Sequence, residues 1–217
     1  MNGEIMKIVD LSCVIKVDSP VFPGYVKPTI LKWTDLEKHG YYSNLLYMVE
    51  HTLTHVDSPA HFIKNADTID RVSLDHFVGR ATAIDLRSKK EGGFITKVDL
   101  QGYIKKGEND VILLYTGWEQ YMEREEYFAN YPGLSRDGAE FLRDAGVKAV
   151  GIDGPDIDNY KSKGFPAHHI LLSAGIVIYE GLINLSEVLG KKFKFVGLPL
   201  KINMGSASPV RAVAILE

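Results

Sequence analysis

Two short, near-continuous apolar runs in the middle of the chain, residues 110–115 and 147–152, restrict what it can fold into. Such runs leave no polar face for water, so they predict strands buried on both sides, as in a sheet covered by helices. Residues 135–145, between them, read as a helix: Ser135 is a good N-cap, Glu140 lies in the body and Gly146 follows the last turn. A second helix is predicted over residues 165–174, stopped by Gly175 and followed by a strand over residues 176–179. Residues 8–17, 41–57, 81–86, 193–202 and 209–216 read as further strands, and residues 98–105 as a short helix. Phe22-Pro23-Gly24 suits a turn with Pro first and Gly second of its central pair. The order is β-rich at both ends and βαβ-like in the middle, which predicts one α/β domain with a mixed β-sheet and flanking helices.

The chemistry concentrates in residues 51–61, His-Thr-Leu-Thr-His-Val-Asp-Ser-Pro-Ala-His. His51, His55, Asp57 and His61 fall at even offsets, so an extended strand would project all four from one face. Thr52, Thr54 and Val56 are β-branched and favour that strand over a helix. Pro59 should end it near Asp57, leaving His61 on a loop. Imidazole and carboxylate are the usual ligands of zinc and similar divalent ions. Such polar groups are not placed on one face without partners, so the segment reads as a metal site.

Bulk properties narrow the class. The chain has 217 residues, 45% hydrophobic and 24% charged, with a net charge of −3 and dispersed Lys and Arg. Nothing in this resembles a nucleic-acid footprint. The basic cluster Lys191, Lys192 and Lys194 reads as a solvated turn. Cys13 stands alone and is expected to be a small core residue. The first ten residues lack the apolar run of a signal peptide, and no stretch approaches the ~18 apolar residues of a membrane span. The expectation is a reduced, cytoplasmic protein.

A second polar group lies further on. His168 and His169 sit in an otherwise apolar helix, and Glu180 directly follows a core-like strand. Carboxylates are seldom buried without partners, and spacing alone does not bring these residues to His51.

The segment starting at His51 resembles the signature of the cyclase family of metal-dependent hydrolases, which includes the bacterial kynurenine formamidases. It matches at His51, Thr54, His55, Asp57, Pro59, His61 and Phe62. The stretch from Phe165 to Leu172, with Glu180-Gly181-Leu182 after it, is similar to the family's second motif, in which His168 rather than His169 has the matching spacing to the glutamate. Thr116-Gly117-Trp118 and Gly151-Ile152-Asp153 also match, so the resemblance covers nearly the whole chain.

That resemblance implies a partly barrel-like sheet of the swivelling β/β/α type and two divalent ions, zinc or manganese. His51, His55 and Asp57 would hold one ion; Asp57, His168 and Glu180 would hold the other, with Asp57 bridging. His61 would transfer protons, and Phe22 would line the substrate pocket, with Tyr25 and Trp118 as further candidates to contact an aryl ring. The implied activity is hydrolysis of a small amide, formamide or lactam by metal-activated water, in a homo-oligomer (dimer or tetramer). A metal-dependent lyase or cyclase, a non-catalytic metal- or small-molecule-binding protein, and a plain domain without metal are the rival readings. Two residues depart from the family pattern: Leu53 replaces a glycine, and Asp156, where relatives often carry Ser, is expected to face solvent.

Overall fold

The computed structural model describes residues 6–89 and 91–216. Its strands are β1 (Lys7–Asp10), β2 (Thr29–Thr34), β3 (Ser43–Tyr47), β4 (His55–Asp57), β5 (Val78–Asp85), β6 (Phe94–Ile95), β7 (Val111–Tyr115), β8 (Gly133–Leu134), β9 (Ala149–Ile152), β10 (Val177–Glu180), β11 (Phe193–Val196), β12 (Ala207–Pro209) and β13 (Val213–Leu216). The helices are α1 (Leu36–His39), α2 (Lys97–Leu100), α3 (Arg136–Ala145) and α4 (Pro166–Ser173).

Nine strands form one mixed sheet in the order β1-β13-β11-β5-β7-β9-β10-β4-β12. The central pairs β5-β7, β7-β9 and β9-β10 are parallel, and the flanking pairs are antiparallel. The sheet curls into a half-barrel. Past β1, the Leu11 N–H donates to Ala212 O and the Leu11 carbonyl accepts from Ile183, tying strands distant in the sheet order to one segment.

Strand alternation explains the apolar run in β7. Ile112 and Leu114 point to the helix-covered face, where they meet Leu142, Val150 and Leu171; Val111, Leu113 and Tyr115 point into the curl with Val56, Tyr179 and Phe195. Both faces are buried, so no position in β7 can be polar without a partner. The α3 cap is as expected: Ser135 Oγ accepts from Gly138 N–H, and Gly146 takes a left-handed φ of +75°. Leu142 on its buried face is fully covered, a burial worth about 1.5–3 kcal/mol. At Phe22–Tyr25, the Tyr25 N–H donates to Phe22 O (3.0 Å), with Gly24 at φ +97°, the positive angle that the second central residue of such a turn needs.

Several expected elements are shorter. Residues 8–17 leave the sheet after Asp10, residues 193–202 after Val196, and the helix expected over residues 98–105 is the single turn α2. Residues 41–57 do not form one strand. Thr52 Oγ1 donates to Val49 O, a local bond that competes with the ladder, and Leu53 adopts φ +56°, which no strand tolerates. The result is β3, a turn, and β4. The hairpin β2-β3 stands away from the core with Leu31, Trp33, Leu45, Leu46 and Tyr47 exposed.

Candidate metal centre

The break at Leu53 shapes the site. β4 retains only His55 and Asp57, which flank inward-facing Val56 and so share the helix-covered face. His51 reaches the same place from the turn before Leu53, and His61 from the 3-10 turn Pro59–His61. The even offsets therefore do not place four side chains on one strand; they place two, and turns return the other two.

β10 pairs antiparallel with β4 in a register that sets Glu180 opposite His55. That register needs close backbone contact next door. Gly181 has φ +64°, and a Cβ there would lie 2.6 Å from Leu53 O. Thr54 Oγ1 donates to Gly181 O and accepts from Cys13 N–H, binding the two segments further. Cys13 is half-buried beside the hydrophobic cluster of Trp118, Met122 and Tyr127.

α4 delivers His168. Its N-cap residue, Phe165, supplies no side-chain cap. Asp158 acts in its place, accepting from the backbone N–H of Ala167 (2.7 Å) and His168 (3.0 Å) and from His168 Nδ1 (2.8 Å). His169, one residue on, is exposed.

His51, His55, Asp57, His61, His168 and Glu180 thus converge. Asp57 is the hub: Oδ1 lies 2.8 Å from His51 Nδ1 and 3.3 Å from His55 Nε2, and Oδ2 lies 3.5 Å from His168 Nε2. Glu180 stands 3.6 Å from His55 Nε2 and 3.4 Å from His168 Nε2, while its Oε1 accepts from Ile157 N–H. One donor atom each from His55, Asp57 and Glu180 lie within 4.8 Å of one another, and the same holds for His51, Asp57 and His61.

These residues fit a divalent cation. His55 Nε2 and both Asp57 oxygens are buried with no aligned hydrogen-bond partner, an arrangement costly without a further ligand. The far nitrogens of two rings are held by acceptors: His55 Nδ1 by Leu53 O (2.8 Å) and His168 Nδ1 by Asp158. With those N–H groups committed, Nε2 of each presents a lone pair inward, the pattern of metal-ligating histidine. Burial lowers the pKa of His55, yet Asp57 and Glu180 outweigh it and raise it to about 9. Burial likewise works against His168, but Asp158, Asp57 and Glu180 carry its pKa well above the usual value. Both shifts report a strongly negative potential at the centre. Burial and the neighbouring imidazoles act the other way on His61, pushing it down to about 4.

Above the centre opens a cavity of about 130 Å³, rimmed by Phe22, Tyr25, Phe62 and Phe165. Phe22 and Tyr25 line this cavity, while Trp118 is buried elsewhere, its Nε1 donating to Tyr127 O. Asp156, expected to face solvent, is instead 5% exposed and lines the cavity. Tyr131 OH donates to its Oδ2 and Asp158 N–H to its Oδ1, bonds that fold the loop inward. Burial first, then Glu180 and Asp158, push its pKa up to about 7 against the pull of His168. Phe62 was read only as part of the motif; here it stacks on His168 at 4.5 Å.

Known proteins share this architecture. A kynurenine formamidase of Salinibacter ruber is 32% identical over 96% of this chain and 97% of its own length. The structure of a potential metal-dependent hydrolase with cyclase activity superposes with a TM-score of 0.83 at 28% identity, covering 98% of this chain and 99% of that one. An isatin hydrolase bound to the product analogue thioisatinate shares the fold at a TM-score of 0.89 and 24% identity, over 97% and 92% of the two chains. The model of the Putative cyclase family matches residues 9–159, and on these grounds the chain belongs to that family.

Proposed function

We propose that this protein is a metal-dependent hydrolase that cleaves a small amide, formamide or lactam. The observation that carries the reading is the hub at Asp57: a fully buried carboxylate whose two unpartnered oxygens face three imidazoles at the floor of an aromatic-rimmed cavity. The named activities of the kynurenine formamidase and isatin hydrolase relatives support it.

In this reading His51, His55 and Asp57 hold one ion and Asp57, His168 and Glu180 a second, zinc or manganese in each case. Such ions polarise a carbonyl and acidify water, which opens an amide carbon to attack near neutral pH. The chain's own residues do the rest. Phe22 and the other rim aromatics pack the aryl or alkyl part of the substrate and exclude bulk water. His61, its ring centroid 4.0 Å from that of His51, takes a proton from the attacking water and delivers one to the leaving nitrogen. An all N/O ligand set and a lone cysteine suit a reducing cytoplasmic setting.

The test joins metal analysis of the purified protein to a hydrolysis screen with N-formyl aryl amines, isatin and cyclic imides. His61→Ala is expected to keep its metal while hydrolysis collapses; loss of an ion would instead place His61 among the ligands. Asp57→Ala is expected to lose metal, and unchanged stoichiometry would sink the bridging role. The exposed β2-β3 hairpin supports a homo-oligomer, dimer or tetramer, because a lone two-stranded hairpin with apolar side chains in water is marginal. Trp33→Asp should shift the mass measured by light scattering towards the monomer.

A further inference from the structure

His55 and His168 are each oriented by an acceptor within the site. His51 has a different arrangement, which no motif flagged. Its Nε2 lies 3.0 Å from Ser206 Oγ, and Ser206 Oγ in turn donates to Glu50 Oε2 at 2.9 Å. Glu50 Oε2 also accepts from the backbone N–H of Ser206 (2.9 Å) and Ala207 (3.3 Å). Ser206 is held from its other side, because its carbonyl accepts from Ser58 N–H and Ser58 Oγ. The hydroxyl is thus pinned in a loop anchored to both flanks of the candidate ligand segment.

A serine hydroxyl has one proton. With that proton committed to a carboxylate, Oγ offers His51 only lone pairs. His51 must then donate from Nε2, and in the neutral ring the remaining lone pair is on Nδ1. Nδ1 is the atom that stands 2.8 Å from Asp57 Oδ1 at the centre. Resting on the metal-binding reading above, we propose that Glu50 and Ser206 are positioning residues for the metal centre: the relay Glu50–Ser206–His51 selects the Nε2–H tautomer of His51 and so makes Nδ1 its donor atom. The three imidazoles then present different atoms, His51 Nδ1 but His55 and His168 Nε2. Each choice is set by the acceptor behind the ring.

The full-length chain is the test object, with zinc as the probe, titrated against a chromogenic chelator, and the His51 tautomer read from its ring nitrogen and carbon shifts by NMR. Ser206→Ala keeps the backbone bond to Glu50 and removes the hydroxyl's two links, to His51 and to the Glu50 carboxylate. It is expected to weaken binding of one zinc ion by about 10- to 100-fold and to mix the His51 tautomers. Ser206→Thr, which keeps the hydroxyl, should recover most of the affinity. Glu50→Gln frees the hydroxyl to donate to His51 and should move the tautomer in the same direction as Ser206→Ala. The proposal is overturned if wild-type His51 is the Nδ1–H tautomer, or if Ser206→Ala binds zinc as tightly as wild type. A wild-type chain that binds no zinc refutes the metal reading itself, and the relay's purpose with it. That result is separate from wild type and Ser206→Ala binding equally.

Discussion

Replacing Gly181 with alanine probes how the two halves of the centre are held in contact. Two costs are expected. The first is conformational: at φ +64° a residue with a Cβ costs about 1–2 kcal/mol, reduced by about 0.4–1 kcal/mol because alanine also restricts the unfolded chain. The second is steric. The new methyl would sit 2.6 Å from Leu53 O and 2.9 Å from Leu53 C, both backbone atoms that cannot rotate away. Overpacking of this kind costs about 1–3 kcal/mol, so Gly181→Ala should lose about 2–4 kcal/mol. Gly146→Ala is the matched control, because Gly146 has φ +75° with nothing within 4 Å of a built Cβ. It bears the conformational cost alone, about 1 kcal/mol. Urea unfolding of the two variants isolates the steric share by difference. The collision also pushes the turn that carries His51 and leads into His55 away from Glu180, so zinc affinity should fall in Gly181→Ala and hold in Gly146→Ala. Equal unfolding energies, or wild-type zinc affinity in Gly181→Ala, would refute the argument.

Two further expectations concern the carboxylates of Asp158, behind the centre, and of Glu119, which accepts from Asn184 N–H. Asp158→Asn offers one carbonyl oxygen where three N–H donors now converge, leaving at least one buried donor unpaired; stability should drop by about 1–3 kcal/mol and zinc affinity about 10-fold or more, by urea unfolding and chelator competition. Glu119 is half-buried, and burial raises its carboxyl from 4.5 to about 7. A raised acid costs nothing while both states are protonated, and its cost accrues as pH climbs from the unfolded to the folded pKa. Wild type should therefore lose stability relative to Glu119→Gln between pH 4.5 and 7, by about 1–2 kcal/mol after allowing for solvent screening. Parallel unfolding curves at the two pH values would show that the carboxyl titrates normally.

Local signals carried much of the architecture. β7, the α3 caps at Ser135 and Gly146, and the Pro23-Gly24 turn could all be read because each depends on a few adjacent residues. The long strand over residues 41–57 failed for an instructive reason. Its β-branched residues do favour extension, but Leu53 is held in a left-handed turn by contacts with Gly181, 128 positions away. The family's glycine at that position was the available clue, since glycine is the residue that takes a positive φ readily; here leucine bears one, at +56°. Asp156 was misplaced because Tyr131, the residue that draws it inward, lies in a separate segment. Asp158, ten positions before His168, and Ser206, 155 positions after His51, went unread because spacing does not predict their contacts with those rings; Glu50 adjoins His51, but its carboxylate binds the distant Ser206.

The register of β4 has a consequence for the order of assembly. Both edges of this three-residue strand are satisfied by chain made much later: Ile178 lies opposite Asp57 on one side and Ala207 on the other. As synthesis proceeds from the N-terminus, His51, His55 and His61 emerge as an imidazole-rich tract long before Glu180 or the Ser206 loop exists to orient them. An ion captured then would be held by flexible histidines with no selectivity of geometry. The candidate donor set comes together only when the last strands close the sheet, so an ion held by it would bind the finished chain and not the nascent tract.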